Sequence, residues 1–209
     1  MTVAFDPASD TAALAAEDQA RAGFYGLISH LMAAAPSSEL RATLSGADAL
    51  VADPALPEGV ALAAAWAQLQ EAARESPSVA GEWDALFAGT GRPRVLPYAS
   101  FYLTGFLMEK PLATLRDDLA ALGLARASGC GEPEDHLAGV CDAMRALVLR
   151  PGAAGWQAQQ SFFARHLQPW VLACCETLET HEMARFYAAV GGFAKAFFAL
   201  EARVLGFDQ

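Results

Sequence analysis

At 209 residues the chain fits one domain and is long enough to bury a core. Its 24 carboxylates against 14 lysines and arginines give a formal charge of −10, which argues against a nucleic-acid backbone as partner, because phosphate binding needs clustered cations. Hydrophobic residues make up 54% and charged residues only 18%, so the composition excludes extensive disorder.

The opening stretch, MTVAFDPASDTAALAAEDQ, has no basic start and no long apolar run. No secretory signal is expected there, and residues 1–10 read as a flexible terminus. Residues 11–35 place Leu14, Phe24, Leu27, Ile28 and Leu31 on one helical face, with His30 half exposed, and Pro36 ends the run. Ser38 is the expected cap of a short helix through Leu44. Residues 52–59 read as a loop, and 59–75 as a helix carrying Leu62, Trp66 and Leu69. Ser78 is expected to open a helix with Val79, Trp83, Leu86 and Phe87 on one face. GTGRPRVLPYAS, residues 89–100, is the longest irregular stretch, and such loops often carry function. Ser100 then caps a run with Phe101, Tyr102, Phe106 and Leu107, and Pro111 starts a helix that Gly123 stops. Residues 125–132 form a second connector.

From Pro133 onward, Leu137, Val140, Cys141, Met144, Leu147 and Val148 make a one-sided apolar stripe. RPGAAG, residues 150–155, breaks it, and three further helices are expected over 156–167, 169–178 and 182–205. His166 and Trp170 read as packing residues. No run alternates as a strand does. The predicted fold is therefore all-α, an irregular helical bundle forming a single domain over residues 1–209. No segment reaches the length of a membrane span, so no stable membrane insertion is expected. The cysteines at 130, 141, 174 and 175 form no CxxC pair, and a soluble cytoplasmic protein with free thiols is the simplest reading.

One stretch carries more chemistry than a helix start needs. In GCGEPEDHLAGV, residues 129–140, Pro133 suits the first helical position, Glu132 the cap, and Glu134 and Asp135 the first turn, where carboxylates meet the positive end of the helix dipole. Capping needs one acceptor, and this turn has three carboxylates and His136. Such a set lines one edge of a groove, and arginine matches it because a guanidinium gives two hydrogen bonds to one carboxylate. A metal site built on Glu132, Asp135 and His136 is the alternative, but the nearby Cys130 and Cys141 match no zinc spacing, so no metal or other cofactor is expected. The chain has no GxSxG, no HExxH and no phosphate-cradling glycine loop, so no catalytic residues are assigned and a non-enzymatic role is expected. A helical regulatory or scaffold domain is the other alternative.

Placed on an all-α chain, these motifs resemble the TorD/DmsD/NarJ-type chaperones that assist maturation of molybdenum-containing oxidoreductases. RAGFYGLISHL (21–31), EWDALFAGTG (82–91) with LPYASFY (96–102), EPEDHLA (132–138), QQSFFARHLQPW (159–170) and RFYAAVGGFAKAFFALE (185–201) carry the resemblance, in order. EPEDH is similar to the family's E-P-x-D-H hallmark. The sequence departs from the family at Val140, Cys141, Ala143 and Met144, and at Ala99, where members often carry an acidic residue. DHLAGVCDAMRAL is similar to members that serve formate dehydrogenases. The resemblance implies a partner: the leader or N-terminal peptide of a molybdenum oxidoreductase catalytic subunit, held until the cofactor is inserted. It implies a peptide-binding site with Glu132, Pro133, Glu134, Asp135 and His136 as polar edge and Trp83, Leu86, Phe87, Tyr98 and Tyr102 as apolar trough. Either a monomer or a dimer with exchanged helices is compatible with such a bundle.

Overall fold

The computed structural model describes residues 16–76, 79–88, 93–127 and 131–206. The expectations for residues 1–10 and Leu14, for a cap at Ser78, for residues 89–92 of the first connector and for Cys130 lie outside these. Among the described residues ten α-helices follow one another: α1 (Ala16–Ala33), α2 (Ser38–Gly46), α3 (Pro57–Glu75), α4 (Ala80–Trp83), α5 (Ala99–Thr104), α6 (Lys110–Ala121), α7 (Leu137–Val148), α8 (Gly152–His166), α9 (Val171–Thr180) and α10 (Phe186–Val204). A π-helical turn over Asp84–Ala88 continues α4. Among the described residues there is no strand, only one isolated antiparallel bridge between Tyr98 and His136. The fold is all-α, as the periodicity predicts.

Several boundaries differ from the sequence expectation, two for local reasons and one for a tertiary reason. Ser37, not Ser38, caps α2, its hydroxyl accepting the Leu40 N–H at 3.1 Å. Helix α3 begins at Pro57, inside the stretch read as loop, because proline fits a first turn that has no hydrogen bond to lose. Helix α10 starts at Phe186, later than the predicted 182. There the Glu82 carboxylate accepts the N–H groups of Arg185 and Tyr187 at 2.8 Å and of Phe186 at 3.2 Å. A carboxylate from another helix thus satisfies the orphan donors at the positive end of α10.

The core is built on α1, α7 and α10. Helix α7 lies against α1 and α8, and α10 lies against α9 and α3. Tyr25, Ile28 and Leu31 of α1, Val140, Cys141 and Met144 of α7, and Phe193 and Phe197 of α10 are buried. Phe24 meets Phe193 and Phe197 edge-on, with ring centroids 5.4 and 5.6 Å apart. Such pairs add about 0.5–1.5 kcal/mol each beyond area burial. Gly191 is needed where α10 crosses α9, since a Cβ there would lie 2.7 Å from the Cys175 carbonyl oxygen.

One polar knot ties α1, α8 and α10 from within. Arg21 donates Nε to Glu201 Oε1 at 2.7 Å and Nη2 to Oε2 at 2.9 Å, and Tyr25 donates its hydroxyl to the same Oε2 at 2.9 Å. Gln159 of α8 accepts from Arg21 Nη2 at 3.0 Å. Glu201 is buried, so this bidentate pair and its extra donors compensate a carboxylate removed from water.

Candidate functional site

The turn over residues 131–136 precedes α7 rather than opening it. The helix start expected at Pro133 is therefore corrected to Leu137, with His136 as the cap: its Nδ1 accepts the Ala138 N–H at 3.1 Å. The reason is lateral pairing with residues 97–99. Ala99 donates its N–H to the Asp135 carbonyl at 2.9 Å, and Leu137 donates its N–H to the Pro97 carbonyl at 2.8 Å. Backbone groups engaged sideways are not available to a helical ladder.

Asp135 is only 1% exposed. Its Oδ2 accepts the Ser100 N–H at 3.0 Å and also the Ser100 hydroxyl. The carboxylate thereby fills the role of a cap for α5, whose first-turn N–H groups lack helical partners. Ser100, predicted to cap α5 itself, lies inside the helix and is fully buried. His136 is also buried, with its ring edge-on to Tyr98 at 4.9 Å. Burial lowers its pKa, and the nearby Glu132 and Asp135 charges only partly oppose this. The ring is therefore held neutral, with Nδ1 as acceptor and the proton on Nε2.

The outer face of the turn is different. Glu132 is exposed and accepts the Tyr98 hydroxyl, which burial first and then this carboxylate push well above the ordinary tyrosine range. Arg116 of α6 donates Nε to Glu134 Oε2 at 2.8 Å, while Arg126 Nε stands 3.8 Å from Oε1 and its Nη1 donates to the Glu132 carbonyl at 3.0 Å. Partial burial would raise the Glu134 pKa, but the Arg116 bond and the two positive charges hold it below the usual carboxylate range. Gly139 completes the turn: a Cβ there would lie 2.9 Å from the Glu134 carbonyl oxygen.

The predicted trough is only partly at the surface. Leu86 is fully buried, so its expected place in a peptide groove is corrected to the core; its carbonyl accepts the Arg94 and Val95 N–H groups at 3.0 Å. Trp83 and Phe87 are half-buried, with rings 5.8 Å apart, and Phe87 meets Tyr187 edge-on at 5.0 Å. The Trp83 indole N–H is buried without a partner among the described residues. Tyr102 stacks on Trp170 at 5.8 Å. The fold thus brings Tyr98, Glu132, Glu134, Asp135 and His136 together, while Trp83 and Phe87 pack near the start of α10. Pro133 is half-buried, and its carbonyl accepts the His136 N–H at 3.1 Å. Among the described residues no three His, Cys, Asp or Glu side chains converge to hold a metal.

Residues 53–176 match the family model described as the nitrate reductase delta subunit. The chaperone protein TorD of Vibrio cholerae serotype O1 is 32% identical over 171 residues, covering 77% of this chain and 76% of the relative. This chain belongs to the TorD/NarJ family of redox-enzyme maturation chaperones. Two further TorD chaperones are similar to it: that of Shewanella loihica, 27% identical over 207 residues and covering 90% of this chain and 94% of its own, and that of Aliivibrio fischeri, 30% identical over 129 residues, covering 57% and 60%.

In this TorD-family chain the region matched by the family model includes both the Trp83–Phe87 turn and the 132–136 turn. Sequence reasoning missed four participants: Glu82, Arg116, Arg126 and Gly139. The two arginines arrive from α6 and the stretch after it, and nothing in their spacing announces a carboxylate partner. Gly139 was legible only as the glycine of DHLAG.

Proposed function

We propose that this TorD-family chaperone acts in the cytoplasm on the catalytic subunit of a molybdenum-containing oxidoreductase. It holds the leader or N-terminal peptide of that client until the cofactor is inserted. The observation that carries the reading is the pair of arginines already seated on the acidic turn. Arg116 and Arg126 converge on Glu134, and Arg126 also reaches the Glu132 carbonyl. A surface that accepts two guanidinium groups of its own chain has the chemistry to accept two from a peptide. Both arginines are about half exposed, at 52% and 41%, so a peptide can replace them without opening the core. The formal charge of −10 steers a basic peptide toward the protein.

The roles divide by depth. Asp135 and His136 position the turn by capping α5 and α7, while Glu132 and Glu134 meet the peptide's cations. The Tyr98 ring beside Glu132 adds a face for a guanidinium. Half-buried Trp83, Phe87 and Tyr102 are the proposed apolar contacts, and Leu86 supports them from behind. The proposed client is a formate dehydrogenase subunit, on the likeness of residues 135–147 to members serving that class.

The test is calorimetric titration with leader peptides from a panel of molybdenum oxidoreductases, formate dehydrogenase among them. Glu132→Gln with Glu134→Gln is expected to weaken the best binder by about tenfold or more, the scale of one lost charge-assisted contact, and to flatten its salt dependence. Unchanged affinity and unchanged salt dependence would overturn the assignment of the acidic edge. A stronger response to a leader of another class would replace the proposed client.

A further inference from the structure

The acidic turn is already occupied in the folded chain. The Glu134 side chain is only 15% exposed, and cations of the same chain engage both of its oxygens. Arg116 brings Nε and Nη2 to Oε2, each at 2.8 Å, while Arg126 Nε stands 3.8 Å from Oε1. A guanidinium arriving from a peptide therefore competes for oxygens that the chain itself fills.

The two arginines are anchored differently. Arg126 lies in the stretch after α6, and its approach to Oε1 is longer than a hydrogen bond. Arg116 lies on α6 between the buried Leu115 and Leu119, and that helix is fixed on both sides of it. Before α6, Gly105 takes φ 82° and Met108 φ 59°, the single non-glycine residue with positive φ among the described ones. A bulky side chain held in that region marks a loop whose shape is set by its surroundings. Beyond Arg116, Asp118 Oδ2 meets His166 Nε2 at 2.7 Å and Arg165 Nη1 at 3.0 Å, and Arg150 donates Nη2 to the Leu122 carbonyl at 2.8 Å. The Arg116 backbone is thus held in place when its side chain leaves the turn. A displaced Arg116 guanidinium stays within a side-chain length of Glu134, at the high effective concentration of a tethered group.

We infer that Arg116 is a tethered competitor, an autoinhibitory contact that keeps Glu134 closed to cations until a guanidinium from outside takes its place. This rests on the proposed reading of the turn and adds to it a resting state and a route back. The apparent affinity for a peptide is lowered according to the fraction of molecules in which Arg116 is seated. Exposed ion pairs are weak, so the handicap is small, about two- to fivefold. A weak competitor suits a protein that must let go of what it holds. As a peptide arginine lifts, Arg116 re-seats and opposes its return, and no energy input is needed.

The test uses a synthetic peptide carrying two adjacent arginines, titrated into wild type, Arg116→Gln, Lys110→Gln and Glu134→Gln. Lys110→Gln removes one exposed charge from the same helix without touching the turn. Expected are about two- to fivefold tighter binding by Arg116→Gln, wild-type affinity for Lys110→Gln, and weaker binding by Glu134→Gln. The second readout needs no variant: the Nε–H resonance of Arg116 in the full-length wild-type protein. It is expected to move to the position of a solvent-exposed arginine as the peptide saturates, while the Nε–H of Arg21, buried on Glu201, stays where it is. An Arg116 resonance that keeps its position at saturation, with Glu134→Gln still weakening binding, overturns the competitor and leaves the acidic edge standing. Equal tightening by Lys110→Gln and Arg116→Gln would assign the effect to the general field of the helix, and the inference would be wrong. If the peptide binds neither wild type nor Arg116→Gln, the reading of the turn fails and the inference with it.

Discussion

Two buried carboxylates organise this molecule, and their surroundings contrast. Glu201 is enclosed by Arg21, Tyr25 and, through Arg21, Gln159, and each of these partners comes from a helix of the main bundle. Asp135 is equally buried, and among the described residues its carboxylate accepts from Ser100 alone, while Glu132 nearby is exposed and Glu134 part-exposed. The first knot closes on itself. The second fixes a platform whose other carboxylates remain near solvent. Burial of an acid therefore does not by itself separate a structural lock from the proposed binding turn; what its sequence neighbours face does.

That contrast can be broken experimentally. Glu201→Ala removes the buried half of the pair and leaves part-buried Arg21 with Asp18, at 2.8 Å, as its remaining carboxylate, so the loss is about 3 kcal/mol, the low end for a broken buried pair. Urea denaturation should show that loss, while the folded fraction should bind leader peptide with unaltered affinity. Lost affinity would mean that the lock reaches the site. Asp135→Ala should cost about 1–3 kcal/mol, since the Ser100 N–H and hydroxyl are left without their acceptor. Here the same substitution should also remove leader binding, because Glu132 and Glu134 lose their register. Binding that survives would place the recognition elsewhere.

A pH titration sharpens the comparison further. The folded-state pKa of His136 is lowered, and its neutral ring accepts the Ala138 N–H. Above the unfolded value near 6.5 both states are neutral, and the contribution is complete. As pH falls below that value the unfolded state takes up the proton first, so stability drops by at most about 1.4 kcal/mol per pH unit. His166 shifts in the same direction, so the relevant measurement is the difference between wild type and His136→Asn. Asparagine retains an acceptor at the cap, and the variant should lose less stability on acidification to pH 5. Identical pH profiles would show that His136 does not titrate during unfolding. The smallest effect is expected at Met108→Gly. It relieves a left-handed conformation that costs about 1–2 kcal/mol for an L-residue, partly offset by the entropy of glycine, and should raise the thermal midpoint slightly.

The helices were legible because apolar periodicity on an alanine-rich chain leaves few alternatives: α1 and α7 fall close to where the stripes of Phe24–Leu31 and Leu137–Val148 put them, and α6 opens within one residue of Pro111. The carboxylate turn was legible as a surplus of acids, and its resemblance to a family hallmark gave it a role. Its construction was not. Pro133 and two acids describe a good helix start by local rules, and only the lateral pairing with residues 97–99, far away in sequence, moves the start to Leu137. Leu86 was misplaced for the converse reason: a one-sided helical face does not say whether it points into a groove or into the core. The Arg116–Glu134 pair and the Glu82 cap of α10 depend wholly on tertiary approach, and no local signal encodes that.

The lone bridge between Tyr98 and His136 also bears on when the site exists. The Asp135–Ser100 contact beside it spans 35 positions along the chain. Closing a loop of that length costs about 3 kcal/mol in chain entropy before any contact compensates it. The contact is therefore non-local, and the acidic platform is complete only when the two ends of that separation meet. A peptide that needs both sides of the bridge binds the finished chain and not its precursors. By mass action it lowers the population in which that loop is open, so amide exchange at Ala99 and Leu137 reports occupancy from inside the protein.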